Sequence, residues 1–207
     1  MTLWESTSAE YTGQTFKGFD LSGREIRGKT FVECRFARSR LREARLTGCT
    51  FHDCAFVECD LSLIDVTDSA FRTVRFENSQ VIGVNWTLAV WGRAGVLNSI
   101  GFARCAISYS TFIGLCLPGL AIESCTARDV DFAEADLSKA SFRGTDLLES
   151  RFLHTNLTGA DFTGASNYAI DATLNTLKKT RFSLPEAMSL LYSLDIILDN
   201  GATSEDI

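Results

Sequence analysis

Apolar residues recur at every fifth position from Phe16 to Trp86, and the rule resumes one residue out of phase from Phe102 to Phe162. The first run includes Leu21, Ile26, Phe31, Phe36, Phe71 and Val81. The second includes Ile107, Phe112, Leu117, Phe132 and Leu157, with Ala127 its one small member. Two residues ahead of these positions the side chain is mostly small, as at Cys34, Ser39, Ala44, Ser69, Ala135 and Ala160. Five steps carry a side chain to the opposite face of a strand and well off the face of a helix, so the backbone must turn a corner every five residues. Large and small side chains then alternate into one interior. The positions between are Asp, Arg, Thr, Glu, Gly and Ser, which suit water, and several of them can bond turn backbone. The pattern predicts an all-β solenoid over residues 1–166.

Between Trp86 and Phe102 the spacing is sixteen and the small/large alternation is lost, so a break falls at residues 87–101. The preferred reading is three imperfect corners with one bulged residue; the other is a loop that carries Trp91 and Arg93 outward. Trp and Arg are frequent interface anchors, so both are candidate partner contacts. After Phe162 the repeat fades, while Leu177 and Phe182 return to phase, so residues 167–182 are expected to form a last partial coil. Ser183, Pro185 and Glu186 make a capping-box pattern, and Ala187, Leu190, Leu191 and Leu194 an apolar helical stripe, which predict a capping helix within residues 183–207. The apolar run Ile196, Ile197 and Leu198 follows it. Solenoids require covered ends, and Leu184, Met188, Leu191, Leu194, Ile196 and Leu198 are expected to join two copies tail to tail.

Six of the seven cysteines occupy the small inward position, with Cys116 displaced, so they read as core fillers rather than disulfide partners or metal ligands. His52, Asp53 and Cys54 form a catalytic trio on paper, but Asp53 should point outward and Cys54 inward, so the three cannot converge. No phosphate-binding glycine loop or nucleotide fingerprint is present. A non-enzymatic protein without metal or cofactor is expected. The N-terminal sequence has no basic stretch or apolar run and no segment reaches membrane-spanning length, which makes a cytoplasmic location without membrane contact the expectation.

Segments such as Ala135-Asp136-Leu137-Ser138-Lys139 and Ala160-Asp161-Phe162-Thr163-Gly164 resemble the pentapeptide-repeat family over roughly residues 11–166. The resemblance implies a right-handed, four-sided β-helix with four pentapeptides, about twenty residues, per coil. Side chains twenty apart then stack, and outward charges can be read as ladders: Asp20, Arg40 and Asp60; Glu25, Arg45 and Asp65; Arg38 beneath Glu58. The arginine-rich stretch from Arg24 to Arg45 therefore reads as ladder neutralisation, not nucleic-acid binding. From Glu123 to Glu149 seven carboxylates face Arg128, Lys139 and Arg143. Glu123 can pair with Arg143 and Asp131 with Arg151, but Asp129 stacks on Glu149, while Glu134, Asp136 and Asp146 have no cation twenty away. Asp129, Asp131, Glu134, Asp136, Asp146 and Glu149 are accordingly a candidate acidic patch.

Gly83 to Trp86, Asn167 with Tyr168, Ile170 with Asp171, and Arg181 to Ala187 followed by Leu190, Leu191 and Ser193 to Ile196 are similar to the topoisomerase-protecting branch of that family. This branch comprises the Qnr, MfpA and McbG proteins and the albicidin-resistance protein AlbG, which is the most similar in these residues. The resemblance implies a protein that binds DNA gyrase as a partial mimic of duplex DNA and relieves an albicidin-like poison. An interaction scaffold for an unrelated partner is the alternative.

Overall fold

The computed structural model describes residues 9–92, 100–194 and 196–197. The chain winds as a right-handed, four-sided parallel β-solenoid of about eight coils. At ~4.8 Å per coil this is a rod about 37 Å long. Successive coils pair in register twenty residues apart, Phe16 on Phe36, Phe36 on Phe56 and Phe56 on Phe76. Side 1 carries these phenylalanines, side 2 begins at Leu21, side 3 at Ile26 and side 4 at Phe31, with Tyr11 before it. Strands are three residues long through most of the N-terminal half and shrink to single bridges over much of the C-terminal half.

The corner is made two residues after each central position, where the backbone takes a left-handed conformation. Gly18, Gly23 and Gly48 supply some corners, but Arg38, Glu58, Leu63, Tyr109, Asp129 and Glu149 hold others with φ between 51° and 60°. A side chain in that region costs about 1 kcal/mol. The offset is visible in the backbone: most such N–H groups donate to the next coil, as from Arg38 to Val57 O at 3.0 Å and from Asp129 to Leu148 O at 3.0 Å. A Cβ at Gly83 would lie 2.6 Å from Cδ2 of the exposed Leu63, so that side chain would have to turn aside.

Aromatic rings stack along the sides. On side 1 the Phe36 and Phe56 centroids are 4.6 Å apart, and on side 4 Phe31, Phe51 and Phe71 continue the column begun by Tyr11. The small inward positions bond the preceding coil. Cys34 Sγ donates to Tyr11 O at 3.3 Å and Cys49 Sγ to Ile26 O at 3.2 Å, and Ser69 Oγ makes the same bond to Leu46 O. Cysteine and serine are thus equivalents here, each small and each able to donate. All seven thiols are free, six of them buried.

The break is not a one-residue bulge. Val74 pairs with Ile100, Gln80 with Ala106 and Asn85 with Thr111, so this coil holds 26 residues in place of twenty, and six are additional. Val90 still pairs with Ala70, which places Trp91 on side 4, and the register resumes at Ile100. The additional residues therefore fall in sequence between Gly92 and Ile100.

Residues 167–182 complete the last coil, with Leu177 and Phe182 partly buried on the core and Phe182 stacked 5.1 Å from Phe162. The element that follows is a 3-10 helix over Glu186–Leu194, not an α-helix started by a capping box. The Ser183 hydroxyl is engaged elsewhere, accepting from Gly164 N at 2.9 Å, and so is lost to the helix as a cap. Leu190 rests on the core and Ser193 Oγ accepts from Ala172 N at 3.0 Å, which seats the helix on the open coil.

Phe56, fully buried within its column, should be the more costly site to truncate: Phe56→Ala is expected to lose about 3–5 kcal/mol in a denaturant titration. Lys139→Ala, on an exposed corner, should stay within about 0.5 kcal/mol.

Candidate protein-interaction surface

The repeat decides where each carboxylate sits. An aspartate one residue before a central position is half-buried and accepts from the backbone N–H two residues on, fixing the side of the coil. Asp131 Oδ1 takes Ala133 N at 2.9 Å, Asp136 Oδ1 takes Ser138 N at 3.0 Å, and Asp146 Oδ1 takes Leu148 N at 3.2 Å. Asp60, Asp65 and Asp161 do the same, and the exposed Asp20 makes the same bond. Three of the six patch candidates are therefore turn-forming groups first.

Two of those three are also neutralised. Arg151 reaches Asp131 at 3.3 Å, the pairing read from the twenty-residue stack. Arg128 reaches Asp146 at 2.7 Å across eighteen residues, a diagonal that a strict twenty-residue ladder misses. Burial works to raise the Asp146 carboxyl, but hydrogen bonds from Asn167 and Arg128 outweigh it and hold the group below the ordinary carboxylate value. Asp136 instead accepts from Asn156 Nδ2 at 2.9 Å. Other pairings shift in the same way. Glu25 binds Arg27 of its own coil at 2.7 Å, and Glu123 accepts from Ser141 Oγ at 2.6 Å while Arg143 turns to Asp161. Arg38 with Glu58 at 2.8 Å and Arg40 with Asp20 at 3.9 Å follow the ladders.

Asp129, Glu134 and Glu149 differ from these. All three are exposed corner residues whose carboxylates have no ion-pair or hydrogen-bond partner among the described residues. Asp129 and Glu149 follow one another along the corner between sides 2 and 3, and Glu134 lies beneath His154 on the corner between sides 3 and 4. The six acids consequently spread over three sides rather than forming one patch.

Trp91 is not an outward anchor. Its indole is partly buried on the core and donates from Nε1 to Trp86 O at 2.9 Å. Arg93 lies outside the described residues. The paper trio separates as its alternation requires: His52 Nε2 and Asp53 Oδ2 lie 3.5 Å apart on the surface, while Cys54 is buried and its thiol donates to Phe31 O. Burial pushes that thiol up to about 11. A depression of about 350 Å³ on side 1, lined by Arg75, Glu77, Gly101, Ala121 and Glu123 among others, contains neither cysteine nor histidine.

On the tail, Leu184, Met188, Leu194 and Ile196 are exposed, joined by Tyr192 and Ile197, while Leu191 is partly buried. Leu198 lies outside the described residues.

Residues 29–112 match the pentapeptide repeat region and residues 128–164 match pentapeptide repeats in eight copies. The chain is a pentapeptide-repeat protein. Its fold is that of QnrB1, a plasmid-mediated fluoroquinolone resistance protein. A trypsin-treated variant of QnrB1 superposes with a TM-score of 0.69 at 17% identity, covering 93% of this chain and 98% of that one. Full-length QnrB1 gives 0.66 at 16% identity, over 90% and 100%. No curated protein sequence matches the chain.

One feature of this pentapeptide-repeat rod escapes a reading by period alone. Over residues 80–92 and 100–125 the charged residues are Arg104, on the corner that closes side 1, and Glu123 on side 1. Sides 2, 3 and 4 of the two central coils are uncharged there, forming a neutral waist. Exposed large apolar residues gather at it, namely Leu63, Leu88, Val90, Tyr109 and Ile113, and again at the tail from Leu174 onward; Leu148 is the other such residue. The signal in the sequence is the interval between charges, which a search for motifs does not register.

The depressed Asp146 carboxyl carries a sign. Its contribution to stability is fully present above the ordinary carboxylate value, ~3.9, and is lost as pH falls through the lower folded value. Asp146→Asn should accordingly unfold at lower denaturant than the parent at pH 7, with the gap closing as the titration is repeated below about pH 4. A gap independent of pH would assign the loss to packing.

Proposed function

We propose that this protein acts in the cytoplasm as a non-enzymatic binder of DNA gyrase, occupying part of the surface that duplex DNA uses and relieving the enzyme of an albicidin-like poison. The observation that carries this reading is the correspondence of the whole rod, end to end, with QnrB1, a fluoroquinolone resistance protein. The resemblance of Gly83 to Trp86 and of Arg181 to Ala187 to the topoisomerase-protecting branch supports it. Duplex DNA carries a charge every ~1.7 Å of axis, whereas the free acids of a corner column recur no more often than once per coil, ~4.8 Å. Imitation of the phosphate backbone is therefore sparse and rests on Asp129, Glu134 and Glu149, three corner carboxylates with no ion-pair partner among the described residues. Long-range attraction to a cationic channel would draw the rod in.

The exposed tail supports a homodimer. Leu184, Met188, Leu194, Ile196 and Ile197 present apolar surface beyond the last coil, and a twofold axis through it would cover both copies at once.

The deciding measurement titrates the protein into gyrase supercoiling and cleavage-complex assays, with and without albicidin and a quinolone. Restored supercoiling with fewer cleaved complexes is the expected result; an unaffected enzyme would leave the scaffold reading in its place. Asp129→Lys with Glu149→Lys should weaken gyrase binding at least tenfold and flatten its dependence on salt. For the dimer, light scattering should report twice the chain mass for the parent and the chain mass for Leu194→Asp with Ile197→Asp.

A further inference from the structure

We propose that side 3 of the neutral waist, together with its two corners, is a docking surface for a cationic amphipathic helix of a partner protein. This inference does not depend on the partner being gyrase. The corner between sides 2 and 3 runs Leu63, Gly83, Tyr109, Asp129 along the axis, each residue bonded through its backbone to the coil above. The corner between sides 3 and 4 runs Asp68, Leu88, Gly114, Glu134; the N–H groups of Asp68, Gly114 and Glu134 donate to the next coil, whereas Leu88 ends a 3-10 turn, donates to Asn85 O and accepts from Asp68 N through its carbonyl. Between them lie Asn85, Thr87, Thr111 and Ile113. Leu63, Tyr109, Leu88 and Ile113 are 42% to 68% exposed although each belongs to a rigid coil. Their clustering on one side of a rod whose remaining coils are charged is the mark of an interaction surface rather than of scattered apolar residues.

Charge selects the occupant. Asp68 closes the N-terminal edge of the surface, and Asp129 and Glu134 close the C-terminal edge; none of the three has an ion-pair partner among the described residues. An apolar stripe with basic residues at both ends would meet apolar surface in the middle and free carboxylates at either edge. From Asp68 to Glu134 is three coil steps, ~14 Å, which a helix covers in about nine residues. Backbone geometry selects a helix over an added strand. Along side 3 of the waist the strand positions Asp65, Asn85, Thr111 and Asp131 are occupied by neighbouring coils, with Asn85 paired to Thr111 and Thr111 to Asp131, so this face offers no open edge for β-addition. A helix satisfies its own backbone and offers side chains alone.

The test uses the full-length protein and two fluorescein-labelled 18-residue helical peptides, one of Leu and Lys, the other of Leu and Glu with the same apolar stripe, read by anisotropy at ~0.15 M salt, where charges beyond ~8 Å are screened. The Leu/Lys peptide should bind at least tenfold more tightly. Tyr109→Asn with Leu88→Asn should weaken it about tenfold without changing the melting temperature. Asp68→Asn with Glu134→Gln should weaken it and reduce its salt dependence, while Leu194→Asp with Ile197→Asp should leave it unchanged. Equal binding of the two peptides, unchanged binding by the waist variant, or loss caused by the tail variant would each overturn the proposal. So would self-association that the waist variant abolishes, which would make a second copy the occupant.

Discussion

The left-handed residue at each corner is the constraint on which the rest of this molecule depends. It lets a backbone that pairs in parallel change direction every five residues, and it does so at positions occupied by Arg38, Leu63, Tyr109 and Glu149 as readily as by glycine. The local cost is met by bonds made elsewhere, because corner N–H groups such as those of Arg38, Leu63 and Tyr109 find a carbonyl of the adjoining coil. A corner residue is therefore stable only as a member of a stack, which is why a single pentapeptide has no structure of its own and eight coils have one.

Stacking then dictates chemistry. A side chain's neighbours are set by offsets of twenty along the sequence, or eighteen on the diagonal, more than by what adjoins it in the chain. Asp131 meets Arg151 by the first rule and Asp146 meets Arg128 by the second. The 26-residue coil shows how local the rule is: it holds six additional residues, yet Gln80 still meets Ala106 and Asn85 still meets Thr111, so the columns on sides 2 and 3 continue past the insertion. The waist is continuous for that reason.

The interior was legible from sequence because period and composition both report it. Phe56, Cys49 and Ser69 lie inside where the five-residue rule puts them, and even the separation of Cys54 from His52 follows from it. The surface was less so. Counting carboxylates between Glu123 and Glu149 could not distinguish Asp136, which holds its own turn, from Glu134, which holds nothing, since that difference is made by backbone N–H groups that the side chain reaches. Trp91 was misread because an indole in an irregular segment is read as an anchor, whereas its N–H has a carbonyl to meet at Trp86. The capping box failed for a similar reason: Gly164 of the preceding coil competes for the Ser183 hydroxyl, and that coil is adjacent only in three dimensions.

A rod built this way can bind only through side chains, and that narrows how recognition is divided along it. Its backbone is spent on neighbouring coils, its concavities are shallow, and its acidic turn residues are held too low and too close to the surface to reach far from it. What projects is the corner residue, whose left-handed backbone aims the side chain outward. Where corners carry Asp129 and Glu149 the rod offers charge, and where they carry Leu63 and Tyr109 it offers apolar surface. The same geometrical position thus produces electrostatic contact near one end and hydrophobic contact at the waist. Changing the residue at a corner alters recognition while leaving the interior alone, so the fold can be retained across proteins that share fewer than one residue in five with it.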